Sequence, residues 1–134
     1  MHVRAILLLA LALGGCSVSG VVTDWASDDV AGPEPVNYRY MVAAGLDGVM
    51  GSKDRDKRLL EVSPPRRVDV LKGAAWMVCV KSLQNATQVK DYYSVTIQRE
   101  KIIESRIAVR TDACEAQPYD PFDWNYDLGH PIVR

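Results

Sequence analysis

Two runs in the second half of the chain alternate apolar and polar residues with the period of a β-strand. Tyr93, Val95 and Ile97 are separated by Ser94 and Thr96, and Ile103, Ile107 and Val109 alternate with Glu104, Arg106 and Ala108. Placing both apolar sets on one face sets Ile97 opposite Ile103, Val95 opposite Ser105 and Tyr93 opposite Ile107. A slip of one residue would bury Glu104 and Arg106 instead. This register predicts a three-residue loop, Arg99-Glu100-Lys101, although such loops favour a glycine that is missing here. Ile102 falls on the polar face, where a helix, a partner or water would meet it. Before this hairpin, Ala75 to Leu83 is continuously apolar apart from Lys81 and Ser82, so both faces of its first half are expected to be covered. Gln84 to Thr87 reads as a turn. Leu59 to Val62 predicts a short strand stopped by Ser63-Pro64-Pro65, and Arg66 to Leu71 an edge strand. Upstream, Tyr38, Met41, Val42, Leu46, Val49 and Met50 follow a helical period after Pro35, despite Gly45 and Gly48. One helix followed by an antiparallel meander predicts the α+β class.

The first apolar run has a different character. Arg4 precedes Ala5 to Leu13, and Gly14-Gly15 supply the small residues a signal peptidase needs. The run is about half the roughly 20 residues that span a bilayer. Leu13-Gly14-Gly15-Cys16 resembles the lipobox of bacterial membrane lipoproteins. That resemblance implies a signal peptide over residues 1–15, cleavage before Cys16 and lipidation of Cys16, with palmitate among the usual acyl chains. Ser17 in place of an aspartate resembles lipoproteins sent on to the outer membrane, with the domain facing the periplasm.

Processing at Cys16 would remove Arg4 and leave 15 basic against 17 acidic residues. That balance gives no reason to expect nucleic acid as a partner. Residues 16–33, small, polar and acidic, read as a flexible tether, and residues 34–134 as one small domain. Lipidation of Cys16 would leave Cys79 and Cys114, most simply a disulfide in an oxidising compartment. On its strand Cys79 shares a side with Met77, while Trp76, Val78 and Val80 point the other way. A bond to Cys114 therefore requires the chain after Val109 to fold back over the sheet.

The tail that follows interleaves Tyr119, Phe122, Trp124 and Tyr126 with prolines and with Asp120, Asp123 and Asp127, and reads as an irregular ordered segment. Either its aromatics cover the sheet, or Tyr119, Asp120, Phe122, Asp123, Trp124 and Tyr126 form a partner-binding surface. Catalytic signals are sparse. Processing would leave His130 as the single histidine, no serine sits in a Gly-x-Ser-x-Gly turn, and Asp54-Arg55-Asp56 lacks the length and glycine of a calcium loop. No metal and no cofactor is expected.

The order Trp76-Met77-Val78-Cys79, a hairpin, Cys114 and Tyr119-Asp120-Pro121-Phe122 resembles small, uncharacterised proteobacterial lipoproteins over roughly residues 34–122. The usual hairpin glycine is absent here, and the resemblance implies no activity. The expectation is a non-enzymatic, lipid-anchored envelope protein that binds or supports another envelope protein. The alternatives are a periplasmic inhibitor of a wall-degrading enzyme, and a small hydrolase or ligand-binding protein.

Overall fold

The computed structural model describes residues 30–51 and 59–132. Cys16, the signal segment 1–15 and the charged stretch 52–58 lie outside the described residues. So does most of the tether expected over 16–33. Its last residues, 30–33, are docked on the domain: Ala31 is fully buried, and the Gly32 carbonyl accepts from Trp76 Nε1 at 3.1 Å.

Helix α1 spans Tyr38–Met50 and buries Val42, Ala43, Leu46 and Met50, the stripe expected of a 3.6-residue period. It starts three residues later than Pro35. Asn37 holds the N-cap position without a side-chain cap bond, because its amide is engaged elsewhere. The strands are β1 Leu59–Val62, β2 Arg66–Val70, β3 Gly73–Asn85, β4 Gln88–Gln98, β5 Lys101–Ile107 and β6 Asp120–Phe122. They form one antiparallel six-stranded sheet in the order β5-β4-β3-β1-β6, with β2 also paired to β3. Sheet predominates over helix.

Strand β3 is the spine of this sheet. Its second half pairs with β1, Leu59↔Leu83 to Val62↔Val80, and its first half with β2, Arg66↔Met77 to Val70↔Gly73. Ser63-Pro64-Pro65 fills the gap on that edge, where the prolines cannot donate to a ladder. Ser63 closes the gap. Its N–H donates to the Cys79 carbonyl at 2.9 Å, and its fully buried hydroxyl accepts from Cys79 N, also at 2.9 Å.

One face of the sheet is apolar and carries α1. Leu60, Val62, Val78, Val80, Tyr93, Val95 and Ile97 pack there with Val42, Leu46 and Met50. Each such side chain contributes about 1.5–3 kcal/mol when fully buried. Gly45 lets the helix come close: a Cβ there would lie 2.8 Å from Ser105 Oγ and 3.4 Å from Val95 Cγ1. The glycine that weakens α1 locally is what seats it.

The β4–β5 hairpin keeps the expected pairs Tyr93↔Ile107 and Val95↔Ser105 but departs from expectation at its tip. Ile97 lies opposite Ile102, not Ile103, and the turn is two residues, Arg99-Glu100, rather than three. A bulge between Thr96 and Ile97 absorbs the extra residue. The tight turn needs positive φ at both central positions, and Arg99 and Glu100 adopt 50° and 59° without being glycine or asparagine. Ile102 consequently meets α1, its Cδ1 lying 3.2 Å from a Cβ built at Gly45, while Ile103 lines the other face beside Thr96 and Glu104. The expected cover over Ile107 and Val109 is also missing: they are 60% and 54% exposed, because β5 is the sheet's outer edge.

Two substitutions test this packing in opposite directions. Glu100→Gly relieves one left-handed residue and should raise unfolding stability by about 1 kcal/mol. Gly45→Val overfills the α1–β5 contact and should lower it by about 1–3 kcal/mol. Urea midpoints of the two variants check both signs.

Candidate functional site

The face of the sheet away from α1 is polar. After Ile107 the chain turns back across it through two short 3₁₀ turns, Arg110–Asp112 and Cys114–Ala116, joined by Ala113 in a left-handed conformation. The disulfide Cys79–Cys114 bonds this segment to the middle of β3, with the two Cα atoms 5.5 Å apart. Sequence expectation and structure agree on this bond and on the fold-back it demands.

Asp112 is the second fastening. Its carboxylate accepts from Arg106 Nη1 and Nη2 at 2.6 and 2.8 Å and from Val109 N at 2.8 Å. Burial pushes this carboxyl up, but the hydrogen bonds from Arg106 and Val109 outweigh it and hold Asp112 below the usual carboxylate range. Arg66 donates to the Asp112 carbonyl and lies 3.5 Å from Met77 Sδ. Beyond Cys114, Tyr119 donates its hydroxyl to the Cys114 carbonyl at 2.6 Å and leans on Tyr92 at 6.2 Å between ring centroids. Lys81, ion-paired with Glu61 across the β1–β3 ladder, sits 4.6 Å above the Tyr119 ring. Burial and the neighbouring Tyr92 raise the Tyr119 pKa, so the phenol stays neutral and serves as a donor.

From Tyr119 the chain rounds the β1 edge to the helix face. The segment expected to be irregular is regular on both sides of Asp123: β6 pairs with β1, Leu60↔Phe122 and Val62↔Asp120, and helix α2 spans Trp124–Gly129. Pro121 is tolerated because β6 is the short outermost strand. Asp123 caps α2, its carboxylate accepting from Tyr126 N at 3.0 Å. Phe122 and Trp124 enter the apolar core, each 6% exposed.

Helix α1 holds this tail from below. Arg39 donates to both carboxylate oxygens of the buried Asp127, at 2.9 and 3.1 Å, and to the Pro121 carbonyl at 2.7 Å. The bond to Asp127 raises the Arg39 pKa against the opposing effect of burial. Asn37 clamps Ile132 on both sides, Nδ2 donating to its carbonyl at 2.7 Å and Oδ1 accepting from its N–H at 2.6 Å. Tyr126 stacks on His130 with centroids 4.3 Å apart.

The six residues singled out as a possible binding surface therefore do not share one surface. Phe122 and Trp124 are core, Tyr119 is half-buried on the opposite face, and Asp120, Asp123 and Tyr126 are exposed. An open hollow of about 510 Å³ lies beside the exposed part, bounded by Arg39, Leu59, Phe122, Asp123 and Tyr126. Arg39 and Asp127 shape it, and Arg39 was not singled out by sequence. Arg39 meets a partner 88 positions away, a distance that leaves no local signal. Among the described residues no group of three His, Cys, Asp or Glu side chains could hold a metal ion.

Two measurements probe the fastenings. Reducing Cys79–Cys114 should lower stability by about 4 kcal/mol for a closed loop of this length, read as a shift of the urea midpoint. Asp112, with its folded pKa depressed, stabilises fully above the ordinary carboxylate range near about pH 4 and loses that contribution as pH falls through the lower folded value. Asp112→Asn should cost about 1–3 kcal/mol at neutral pH and flatten the acid limb of the stability curve.

No protein-family model, no curated protein and no solved structure matches this chain, so the reading of its function rests on its own residues and geometry.

Proposed function

We propose that this chain is a non-enzymatic lipoprotein of the bacterial cell envelope, anchored through Cys16 and binding or supporting another envelope protein. The observation that carries the reading is Leu13-Gly14-Gly15-Cys16, with Arg4 and a short apolar run before it. The pairing of Cys79 with Cys114 supports it, since a stable disulfide suits an oxidising compartment and leaves Cys16 as the third cysteine. Ser17 favours the outer membrane, with the domain on the periplasmic side. Anchoring confines the domain to a surface and raises the effective concentration of any partner there.

The partner contact in this reading is the exposed strip Asp120, Asp123 and Tyr126, not the full aromatic segment. Its backbone is held by Arg39, by the Asn37 clamp and by the disulfide, so little order remains to be imposed on binding. The same rigid acidic strip favours a second reading, a periplasmic inhibitor that presents Asp120 and Asp123 to the cationic cleft of a wall-degrading enzyme.

Metabolic labelling with palmitate should mark the chain, and Cys16→Ala should abolish the label; unchanged labelling overturns the anchor. A photo-crosslinker at Tyr126 in intact cells should join the chain to one envelope protein, with none joined from Val89, an exposed position on β4. If the adduct is a wall hydrolase and the purified chain inhibits it, the second reading holds.

A further inference from the structure

Two hairpin tips and the incoming chain meet at one end of the sheet. Strand β3 runs 13 residues from Gly73 to Asn85, about 40 Å at strand rise, so the Leu71-Lys72 turn and the Ala86-Thr87 turn lie at opposite ends. The Arg99-Glu100 turn shares the Leu71 end, because β4 runs antiparallel to β3. The chain enters the domain between these two turns: the Ala31 carbonyl accepts from Arg99 N at 2.9 Å, and Val30 packs on Gly73. Cys16 lies about 14 residues before Val30, a reach of about 50 Å at most, and the chain coming from it joins the domain at this end.

That end is built unlike the rest of the surface. Leu71 is the most exposed large apolar residue among the described ones, and none of them folds over it. Lys72 follows it in the same turn, and Lys101 projects from the start of β5 on the neighbouring hairpin. Tyr40 and Ile132, both exposed, border Glu100 at the same end. An apolar tip flanked by long cationic side chains and a tyrosine suits the boundary between headgroups and acyl chains. The acids at this end among the described residues include Asp69, Glu100 and Glu104, and Glu104, which lines one hollow with Leu71 and Lys72, is ion-paired with Arg106. The attraction is therefore confined to Lys72 and Lys101, and invisible in the net charge of the whole chain.

We infer that the Leu71 end of the domain is a membrane-facing surface, with Leu71 seated at the boundary between headgroups and acyl chains and Lys72 and Lys101 at anionic phosphate headgroups. This rests on the proposed anchor at Cys16 and adds an orientation to it. The domain then stands on its hairpin tips with β6, α2 and the Asp123–Tyr126 strip held to the side, open to a partner in the periplasm.

The test uses the mature chain isolated from bacterial membranes and placed in vesicles of phosphatidylethanolamine and phosphatidylglycerol that carry lipid-borne quenchers. An environment-sensitive probe is attached to Leu71→Cys or, as the control, to Ala86→Cys at the far tip. Quenching at position 71 should exceed that at 86 by about tenfold, the preference expected of a buried leucine-sized group. Adding Lys72→Gln and Lys101→Gln should lower it by about fivefold for each charge removed, and replacing phosphatidylglycerol with phosphatidylcholine should act alike. Equal or absent quenching in a chain that floats with the vesicles overturns this orientation and leaves the anchor standing. A chain that neither floats nor carries palmitate overturns both. A probe at 71 that becomes buried without sensing the quencher reports contact between copies, and also overturns the inference.

Discussion

The Cys79–Cys114 bond decides the course of the last part of the chain. It pulls the segment after β5 across the polar face and releases it near the β1 edge. From there the nearest unpaired backbone is that of β1, and Asp120–Phe122 takes it as β6. Phe122 and Trp124 can then reach the apolar core from the side, and α2 comes to rest against α1. Without the staple, hydrogen bonds would hold residues 108–118: Arg106 on the Asp112 carboxylate, which is partly open to water, Arg66 on the Asp112 carbonyl and Ala108 N on the Tyr92 carbonyl.

The two faces of the sheet consequently solve different problems. The α1 face is closed by apolar packing, which is strong but nondirectional. The other face is closed by directional groups: Asp112 on Arg106, Arg66 on the Asp112 carbonyl, and Tyr119 on the Cys114 carbonyl beneath Lys81. Strand β3 serves both, sending Val78 and Val80 one way and Met77 and Cys79 the other. The Arg39–Asp127 pair and the Asn37 clamp extend the directional fastening round to the terminal segment, which leaves Asp123 and Tyr126 displayed on a firm base.

Much of this was legible in residue patterns. The alternation from Tyr93 to Ile107 placed the body of the hairpin correctly, because a slip would have buried Glu104 and Arg106. Ser63-Pro64-Pro65 marked the break between β1 and β2, and the parity of the cysteines pointed to the staple. The hairpin tip was not legible. Arg99 and Glu100 in left-handed conformations defy turn preference, and the bulge that moved Ile103 off the helix face follows from closing that turn. Nor was the division of the aromatic segment, since Phe122 and Tyr126 differ little in sequence context. Their fates depend on which side of β1 the chain reaches.

By itself the sequence determined what local periodicity and covalent chemistry can carry: the long helix, the antiparallel strands and a paired Cys79 and Cys114. Only the tertiary structure decided which residues 80 or more positions apart share a neighbourhood. Arg39 with Asp127 and Asn37 with Ile132 meet because the disulfide and the β1 edge steer the chain there. Periodicity reports which face a side chain belongs to, whereas what covers that face depends on closing loops whose ends leave no mark on the residues between.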